Sequence, residues 1–248
     1  SLHDTLSNWG KLKVGLRWFL FRDGPGATNH FEAGGFVRSR AGMEHPDLQL
    51  TFIPVGLGGD NGMDVTSIGQ HAFSTYVDLL RPTSRGALTL KSADPYEHPR
   101  ILVNFLGTPE DMQAMVSGVR LIREVHGQAA LEPFSGEELL PGRAIESDAD
   151  IEGWLRDNTG TGYHPVSTCR MGPDSDPTAV VGPDLRVHGM EGLRVVDASI
   201  MPDLMSGNTN APTIMIGEKA ADLIAGKAPL ARSEADVWIN PQWETAQR

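Results

Sequence analysis

Alternating apolar and polar positions predict four short β-strands in the first part of the chain, over 34–39, 48–55, 73–80 and 87–91. In the third of these segments Phe73, Val77 and Leu79 share one face, whereas Asp78 lies on the other. Successive side chains of a strand point to opposite faces, so a period of two marks this element. The pattern therefore predicts antiparallel strands with one covered face.

The longest helical pattern begins at Thr108. Thr108 can cap the helix, Pro109 suits the first helical position, and Asp111 completes a T-x-x-D sequence that resembles a capping box. Apolar residues then recur at helical spacing until Gly127, which ends the helix. These features predict a core helix.

Three further segments carry helical signals. A mixed basic and apolar helix is predicted over 9–21, and a short one over 148–157 after a cap at Ser147. The final helix is predicted from Pro212 to about Ala225. A polar tail with little pattern follows from Gly226, and we expect it to lie on a surface or to fray.

Composition narrows the class of protein. The 248 residues carry a net charge of -11, which argues against a nucleic-acid partner because phosphates require a basic face. The single cysteine, Cys169, excludes an internal disulfide and suits a reducing compartment, so we expect a cytoplasmic protein. The start at Ser1, without an initiator Met or a signal peptide, is expected for an interior point of a longer protein.

His164 is the strongest candidate for acid–base chemistry. Pro165 disfavours the helical conformation at the residue before it and so holds His164 in an extended backbone. An imidazole can accept the hydroxyl proton of an alcohol at neutral pH while the carbon loses its hydride. A structural histidine has the same local sequence, since His45 and His98 also precede prolines.

Asn210 lies just before the last predicted helix. Asparagine there is often only an N-cap. Alternatively, the helix N-terminus could stabilise the negative edge of a reduced flavin, with the Asn210 amide reaching the substrate oxygen beside His164. The spacing leaves both interpretations open.

The segment 193–196 has the composition of a buried strand, and Asp197-Ala198-Ser199 then forms a predicted turn. Asp197 could be only a turn former, whereas the small side chain of Ala198 would let a cofactor approach closely. Glu32 follows an aromatic residue, and a carboxylate among aromatics can hold a quaternary ammonium. An ordinary surface glutamate is the alternative.

Several chemistries have no support in the sequence. Two G-x-G runs, at 24–26 and 56–58, lack both a third glycine and the strand–helix context of a nucleotide-binding loop. A G-x-S-x-G nucleophile elbow is absent, so a hydrolase has no nucleophile. No histidine pair has metal-ligand spacing with Cys169 or a carboxylate, and we expect no metal site.

The chain resembles the glucose–methanol–choline (GMC) oxidoreductases, and within that family the choline dehydrogenases most closely. The resemblance runs from about Lys11 to Ala225 and is most specific in two blocks, 163–171 and 187–224. It implies an α+β fold, with an antiparallel sheet flanked by helices as the substrate-binding domain over 1–160. The segment 161–226 would carry the catalytic residues and the C-terminal strand and helix that return to an FAD-binding Rossmann-like domain.

The resemblance also implies the roles of individual residues. His164 matches the catalytic base of the family, and Asn210 matches the second catalytic position. Asp197, Ala198, and Asn210 with Ala211, Pro212 and Thr213 match positions that contact FAD. Glu32 matches the carboxylate that binds the trimethylammonium group in choline oxidases, whereas Arg81 stands near the place of a further oxidase histidine and favours a dehydrogenase.

These implications lead to one functional prediction. The chain would be the C-terminal portion of an FAD-dependent alcohol dehydrogenase that oxidises choline and passes electrons to an acceptor that the sequence does not identify. The N-terminal FAD-binding domain would be absent, leaving 227–248 as a tail. Another primary alcohol as substrate, or a fragment that cannot hold FAD, are the alternatives.

The missing domain also predicts the state of the isolated chain. We expect it to be inactive and to expose apolar surface near Ile200, Met201 and 214–216, which would promote self-association. In the parent enzyme this portion would lie in the cytoplasm or at the surface of the inner membrane.

Overall fold

The computed structural model describes residues 1–59 and 64–247. Four helices and five strands cover the regular part of the described chain: α1 Asn8–Phe21, β1 Ala33–Val37, β2 Leu48–Ile53, β3 Ser74–Leu79, β4 Ala87–Thr89, β5 Arg100–Leu102, α2 Pro109–His126, α3 Asp148–Asn158 and α4 Asn210–Ile224. Short 3-10 turns lie at His3–Leu6, Pro25–Ala27, Glu132–Phe134 and Ala198–Ile200. The predicted α+β class with antiparallel strands is confirmed.

The chain forms two compact units. The first comprises Ser1–Leu79, Met112–Gly160 and Glu244–Arg248, and the second comprises Leu80–Asp111 and Thr161–Trp243. The predicted assignment of 1–160, 161–226 and 227–248 to separate functions remains a prediction, because a division by contacts does not define what each part does.

In the first unit, β1, β2 and β3 form an antiparallel sheet with β2 in the centre. Leu50 of β2 lies opposite Gly35 of β1 and Val77 of β3. Leu48 and Leu50 are buried on one face, as the alternating pattern predicts. Helix α2 approaches this sheet closely, since a Cβ added at Gly118 would lie 2.7 Å from Val77 Cγ2.

Helix α3 begins with a well-defined capping motif. Ser147 Oγ accepts the Asp150 N–H at 3.1 Å, and the Asp150 carboxylate accepts the Ser147 N–H at 3.1 Å. This capping box satisfies two backbone donors at the start of α3 and confirms the predicted cap. Ile151 and Leu155 of the helix are buried.

Asp111 has a different function from the one its sequence context predicts. Thr108 Oγ1 accepts the Asp111 N–H at 3.4 Å, but the Asp111 carboxylate does not complete a capping box with Thr108. It accepts the N–H groups of Thr83 at 2.8 Å and Ser84 at 2.9 Å, together with both hydroxyls. A buried carboxylate thus joins the 83–84 turn to the first turn of α2.

The second unit has its own apolar core. Val181, Leu185, Ile200, Met201, Ile216 and Ala220 form a buried cluster. The predicted buried strand at 193–196 is wrong: the segment forms only an isolated bridge between Arg194 and Arg186, and both Leu193 and Val196 are exposed. The fourth predicted strand corresponds to β4, which pairs with β5. Strand β5 was not predicted, because it has only three residues and all of them are exposed.

The C-terminal tail is mostly exposed, but its end is hydrogen-bonded to another segment of the chain. Its described residues after Gly226 are mostly exposed and carry no helix or strand. At the end of the tail, Gln247 Nε2 donates to the backbone oxygens of Arg38 at 2.8 Å and Ser39 at 3.0 Å. None of the helices within 1–59 and 64–247 is long and apolar enough to cross a bilayer.

Candidate functional site

Both ring nitrogens of His164 have a hydrogen-bond partner in one short segment. Nδ1 lies 3.0 Å from Thr209 Oγ1, and Nε2 lies 3.0 Å from Asn208 Nδ2. His164 is half-buried, follows Tyr163 with a φ of 59°, and precedes Pro165. The imidazole therefore sits against the residues that lead into α4, 44 positions later in the chain.

With Nδ2 of the Asn208 amide toward the ring, the partners of His164 correspond to its Nδ1–H tautomer. The Asn208 Nδ2 group can only donate, so Nε2 must be the nitrogen with the free lone pair. The proton of the neutral ring then resides on Nδ1 and is donated to the Thr209 hydroxyl oxygen. This arrangement leaves Nε2 as the proton acceptor of the side chain.

Backbone hydrogen bonds hold the His164 segment in place. The N–H groups of Cys169 and Met171 donate to Ser199 O at 3.0 Å and Ile200 O at 2.8 Å, and the Ser167 hydroxyl donates to Met201 O at 2.8 Å. Ile200 and Met201 belong to the buried core of the same unit. The position of His164 thus depends on contacts between segments that are about 30 residues apart.

Asn210 is not the amide that contacts His164. The N-cap of α4 is Thr209, so Asn210 is the first helical residue and not the predicted cap. Its side chain is exposed, whereas the amide at His164 belongs to Asn208. Two asparagines stand two positions apart in the sequence G-N-T-N, and nothing in their local pattern distinguishes them.

Asp197 and Ala198 form a tight turn beside α4. Asp197 Oδ1 accepts the Ser199 N–H at 2.7 Å and caps the 3-10 turn Ala198–Ile200. The turn contacts α4, and the half-buried Ala198 packs against the core cluster. Asp197 is therefore a turn former in this structure, and its side chain remains exposed.

The N-terminus of α4 offers backbone donors. The first N–H groups of an α-helix have no acceptor within the helix, and the helix dipole adds positive potential there. Pro212 contributes no N–H, and Thr213 uses both its N–H at 3.0 Å and its hydroxyl at 2.6 Å to reach Thr209 O. The N–H groups of Asn210 and Ala211 are the ones that an anionic group could use.

Glu32 belongs to the first unit, just before β1. Its carboxylate is exposed and accepts a hydrogen bond from the Thr28 hydroxyl at 2.8 Å. The neighbouring Phe31 ring is also exposed. The charge and the ring are thus both accessible, as a cation-binding group requires.

Among the residues that the structure describes, the other polar side chains do not form a metal centre. In 1–59 and 64–247, no cluster of three histidine, cysteine or acidic side chains could hold a metal ion. His188 has a structural environment instead: Nδ1 lies 2.6 Å from Asp174 Oδ1 and Nε2 lies 3.1 Å from Gly172 O.

Comparison with known proteins gives a consistent set of relatives. A family model described as GMC oxidoreductase matches residues 82–217, more than half of the chain. Oxygen-dependent choline dehydrogenase of Brucella ovis is 45% identical over all 248 residues, which cover 45% of that protein. Its namesake from Photobacterium profundum is 44% identical over the whole chain, which covers 43% of that protein.

Solved structures give a similar result. A formate oxidase variant from Aspergillus oryzae matches with a TM-score of 0.79 and 26% identity, over 91% of this chain and 43% of the other. Pyridoxine 4-oxidase from "Mesorbium loti" matches with a TM-score of 0.72 and 28% identity, over 82% of this chain and 39% of the other. The chain therefore spans somewhat less than half the length of the curated relatives that it matches.

Proposed function

The chain belongs to the GMC oxidoreductases, and from this membership we propose that it is the C-terminal portion of an FAD-dependent dehydrogenase that oxidises choline to betaine aldehyde. The observation that carries the proposal is the contact of His164 with Asn208 and Thr209 at the start of α4. The names of relatives at 45% and 44% identity support choline as the substrate.

His164 is the proposed base. Its Nε2 accepts a hydrogen bond from the Asn208 amide at 3.0 Å. An alcohol hydroxyl is also a donor, so a substrate would take the place of the amide at Nε2 and transfer its proton there. Asn208 Nδ2 would then donate to the alcohol oxygen and orient it. The Thr209 hydroxyl keeps the other ring proton on Nδ1.

In this proposal Asn208 has the role that the sequence pattern suggested for Asn210. The contact that supports this role is the 3.0 Å distance between Asn208 Nδ2 and His164 Nε2. Asn210 would contribute through its backbone N–H at the first turn of α4, on the cofactor side.

The residues around α4 fit a flavin. The turn at Asp197 and Ala198 contacts α4, and the small side chain of Ala198 would let a ring system approach the backbone of the turn closely. The free N–H groups of Asn210 and Ala211 suit a negatively charged edge, and Pro212 and Thr213 shape the same turn. Flavin, when bound, accepts the hydride of the alcohol carbon. The Thr213 hydroxyl donates to Thr209 O, so we assign it to holding the first turn of α4 in shape.

Glu32 is the proposed contact for the trimethylammonium group of choline. Glu32 has an exposed carboxylate and its sequence neighbour Phe31 has an exposed ring, and a cation can use both kinds of group. The substrate-binding role rests on this chemistry and on the resemblance to choline oxidases.

The base is tested by His164→Ala in a protein of the relatives' full length. We expect anaerobic flavin reduction by choline to slow by about 100- to 10,000-fold, the usual contribution of a general base. His98→Ala is the matched control, since His98 also precedes a proline and is exposed. Equal rates of reduction for wild type and His164→Ala would contradict the proposal.

The substrate is tested by comparing choline with 3,3-dimethylbutanol, its neutral isostere. The charge of Glu32 should favour choline through KM, and Glu32→Gln should reduce that preference. Equal turnover of the two alcohols by the wild type would indicate a dehydrogenase for another primary alcohol.

A further inference from the structure

The Ser167 hydroxyl ties the segment that carries His164 to a segment 34 positions later in the chain. It donates to Met201 O at 2.8 Å and to Pro202 O at 3.2 Å. Ser167 is half-buried, and the preceding Val166 packs against the apolar core of the second unit. One O–H group of the His164 segment therefore spans two consecutive backbone carbonyls of the later segment.

Ser167 has a backbone conformation that its hydroxyl helps to maintain. Its φ is 72°, in the left-handed region that is unfavourable for residues other than glycine. A residue with a side chain keeps such a conformation where its surroundings hold it there. The hydrogen bonds to Met201 O and Pro202 O supply that restraint. His164 thus lies between two left-handed residues, Ser167 and Tyr163, whose φ is 59°.

The hydroxyl is the restraint of this pair of segments that lies nearest to the imidazole. Two backbone hydrogen bonds join the same segments further along, from the N–H groups of Cys169 and Met171 to Ser199 O and Ile200 O. Among the residues that the structure describes, the Ser167 hydroxyl makes the only hydrogen bond from 165–168 to the later segment. Pro165 has a fixed φ, so little freedom lies between Ser167 and His164 to absorb a displacement.

The later segment continues from Pro202 to Asn208 and Thr209, which are the partners of the His164 ring. The imidazole lies 3.0 Å from the side chain of each of them. The two segments are therefore joined twice, at the ring of His164 and at the hydroxyl of Ser167. Because only three positions separate these two contacts on the first segment, the hydroxyl restrains how far the imidazole lies from Asn208.

We propose that Ser167 is a positioning residue whose hydroxyl sets the distance between the His164 imidazole and the Asn208 amide. The inference rests on the proposed function, in which His164 is the base. Ser167 does not contact the alcohol and acts through the backbone of 164–167. Its contribution belongs to the geometry of proton transfer, because a displacement of about 1 Å can reduce a rate by roughly 100-fold.

Ser167→Ala and Ser167→Gly test the proposal in a protein of the relatives' full length. Both remove the hydroxyl, but only glycine relaxes the left-handed backbone, so Ser167→Gly should be the more stable variant in thermal unfolding. Both should slow anaerobic flavin reduction at saturating choline by about 10- to 100-fold. The dissociation constant of choline should change by less than about threefold, because ground-state binding is retained. Reduction at the wild-type rate by Ser167→Gly, with slow reduction by Ser167→Ala, would overturn the proposal, because backbone strain would then set the rate.

A second measurement does not depend on turnover. Imidazole ¹⁵N shifts of His164 in the substrate-free protein report whether Asn208 and Thr209 still contact its two nitrogens. Both Ser167 variants should lower the ratio of the Nδ1–H to the Nε2–H tautomer by roughly two- to fivefold, because a weakened hydrogen bond at either nitrogen disfavours the Nδ1–H form. Slower reduction with an unchanged tautomer ratio would overturn the proposal, because the imidazole would then have kept its partners.

Ser206→Ala is the matched control. Ser206 lies in the later segment and also has a left-handed backbone, with a φ of 55°, but its hydroxyl makes no hydrogen bond to the residues that the structure describes. This variant should keep the wild-type reduction rate and tautomer ratio, and a loss equal to that of Ser167→Ala would overturn the proposal.

The same experiment separates this inference from the proposed function. Reduction at the wild-type rate by both Ser167 variants, beside slow reduction by His164→Ala, would overturn the positioning role and leave the proposed base intact. Unchanged reduction by His164→Ala would instead contradict the proposed function, and the positioning role would fall with it.

Discussion

At the scale of single residues, the chemistry of His164 depends on what lies at each ring nitrogen. Asn208 Nδ2 donates toward Nε2 and the Thr209 hydroxyl accepts from Nδ1, each at 3.0 Å. Neither contact follows from the local sequence of His164, which shares its His-Pro pair with His45 and His98. The two neighbours convert an ordinary histidine into one with a defined proton-accepting nitrogen.

Thr209→Val tests this arrangement without reference to catalysis. Valine keeps the shape but removes the hydroxyl that accepts the Nδ1 proton, at a cost of about 1 kcal/mol for the Nδ1–H tautomer, or roughly a fivefold change in the tautomer ratio. Imidazole ¹⁵N shifts of His164, assigned with His164→Gln, report the ratio directly. Thr209→Ser should retain the wild-type ratio. The same tautomer in Thr209→Val and wild type would show that Thr209 does not control it.

At the scale of elements, one carboxylate connects a turn to a helix. Asp111 is buried in the first turn of α2 and accepts four hydrogen bonds from Thr83 and Ser84. Burial by itself raises the pKa of the Asp111 carboxyl, but the hydrogen bonds from Ser84 and Thr83 outweigh it and hold the pKa below its usual value. The charged form is therefore the one that stabilises the fold.

Asp111→Asn should destabilise the protein at pH 7 by about 1–3 kcal/mol, because an amide cannot accept all four hydrogen bonds. Since the folded-state pKa is lowered, the contribution of Asp111 is fully present above the unfolded pKa of about 3.9 and is lost as the pH falls through the folded pKa. Urea unfolding at a series of pH values should show the gap between wild type and variant closing below about pH 4.

Asp236→Asn in the exposed tail is the control for this experiment, and its unfolding should match that of the wild type at every pH. A constant difference between wild type and Asp111→Asn down to acid pH would contradict the assigned role of the carboxylate.

At the scale of the whole molecule, some of the apolar residues that the sequence predicted to be exposed are exposed, and others are buried. Ile214 and Met215 of α4 are exposed, as predicted. The prediction is wrong for Ile200, Met201 and Ile216, which are buried in the core of the second unit. The second unit therefore covers these residues of the Ala198–Ile200 turn and of α4 with its own core, although the sequence predicted that a missing domain would be needed to cover them.

The chain by itself should be colourless. Only the turn at Asp197 and the start of α4 are proposed to hold FAD, and the chain spans less than half the length of its curated relatives. Gel filtration after mixing with FAD, monitored at the visible flavin band, measures retention. A protein of the relatives' length should keep the band, and a yellow 248-residue chain would contradict this expectation.

The sequence alone determined the elements whose signals are local. Caps and helical spacing defined α2 and α3 to within a few residues, and period-two alternation defined β2 and β3, because these structures depend on backbone groups and neighbours a few positions away. The same local signals failed at 193–196, where the apolar composition of a strand occurs without a partner strand.

Tertiary structure decided which residues meet. It brought Asn208 rather than Asn210 to His164, and it turned the Asp111 carboxylate toward 83–84. Each of these outcomes depends on how segments far apart in the chain pack, and a one-dimensional pattern contains the residue types but not the distances between them.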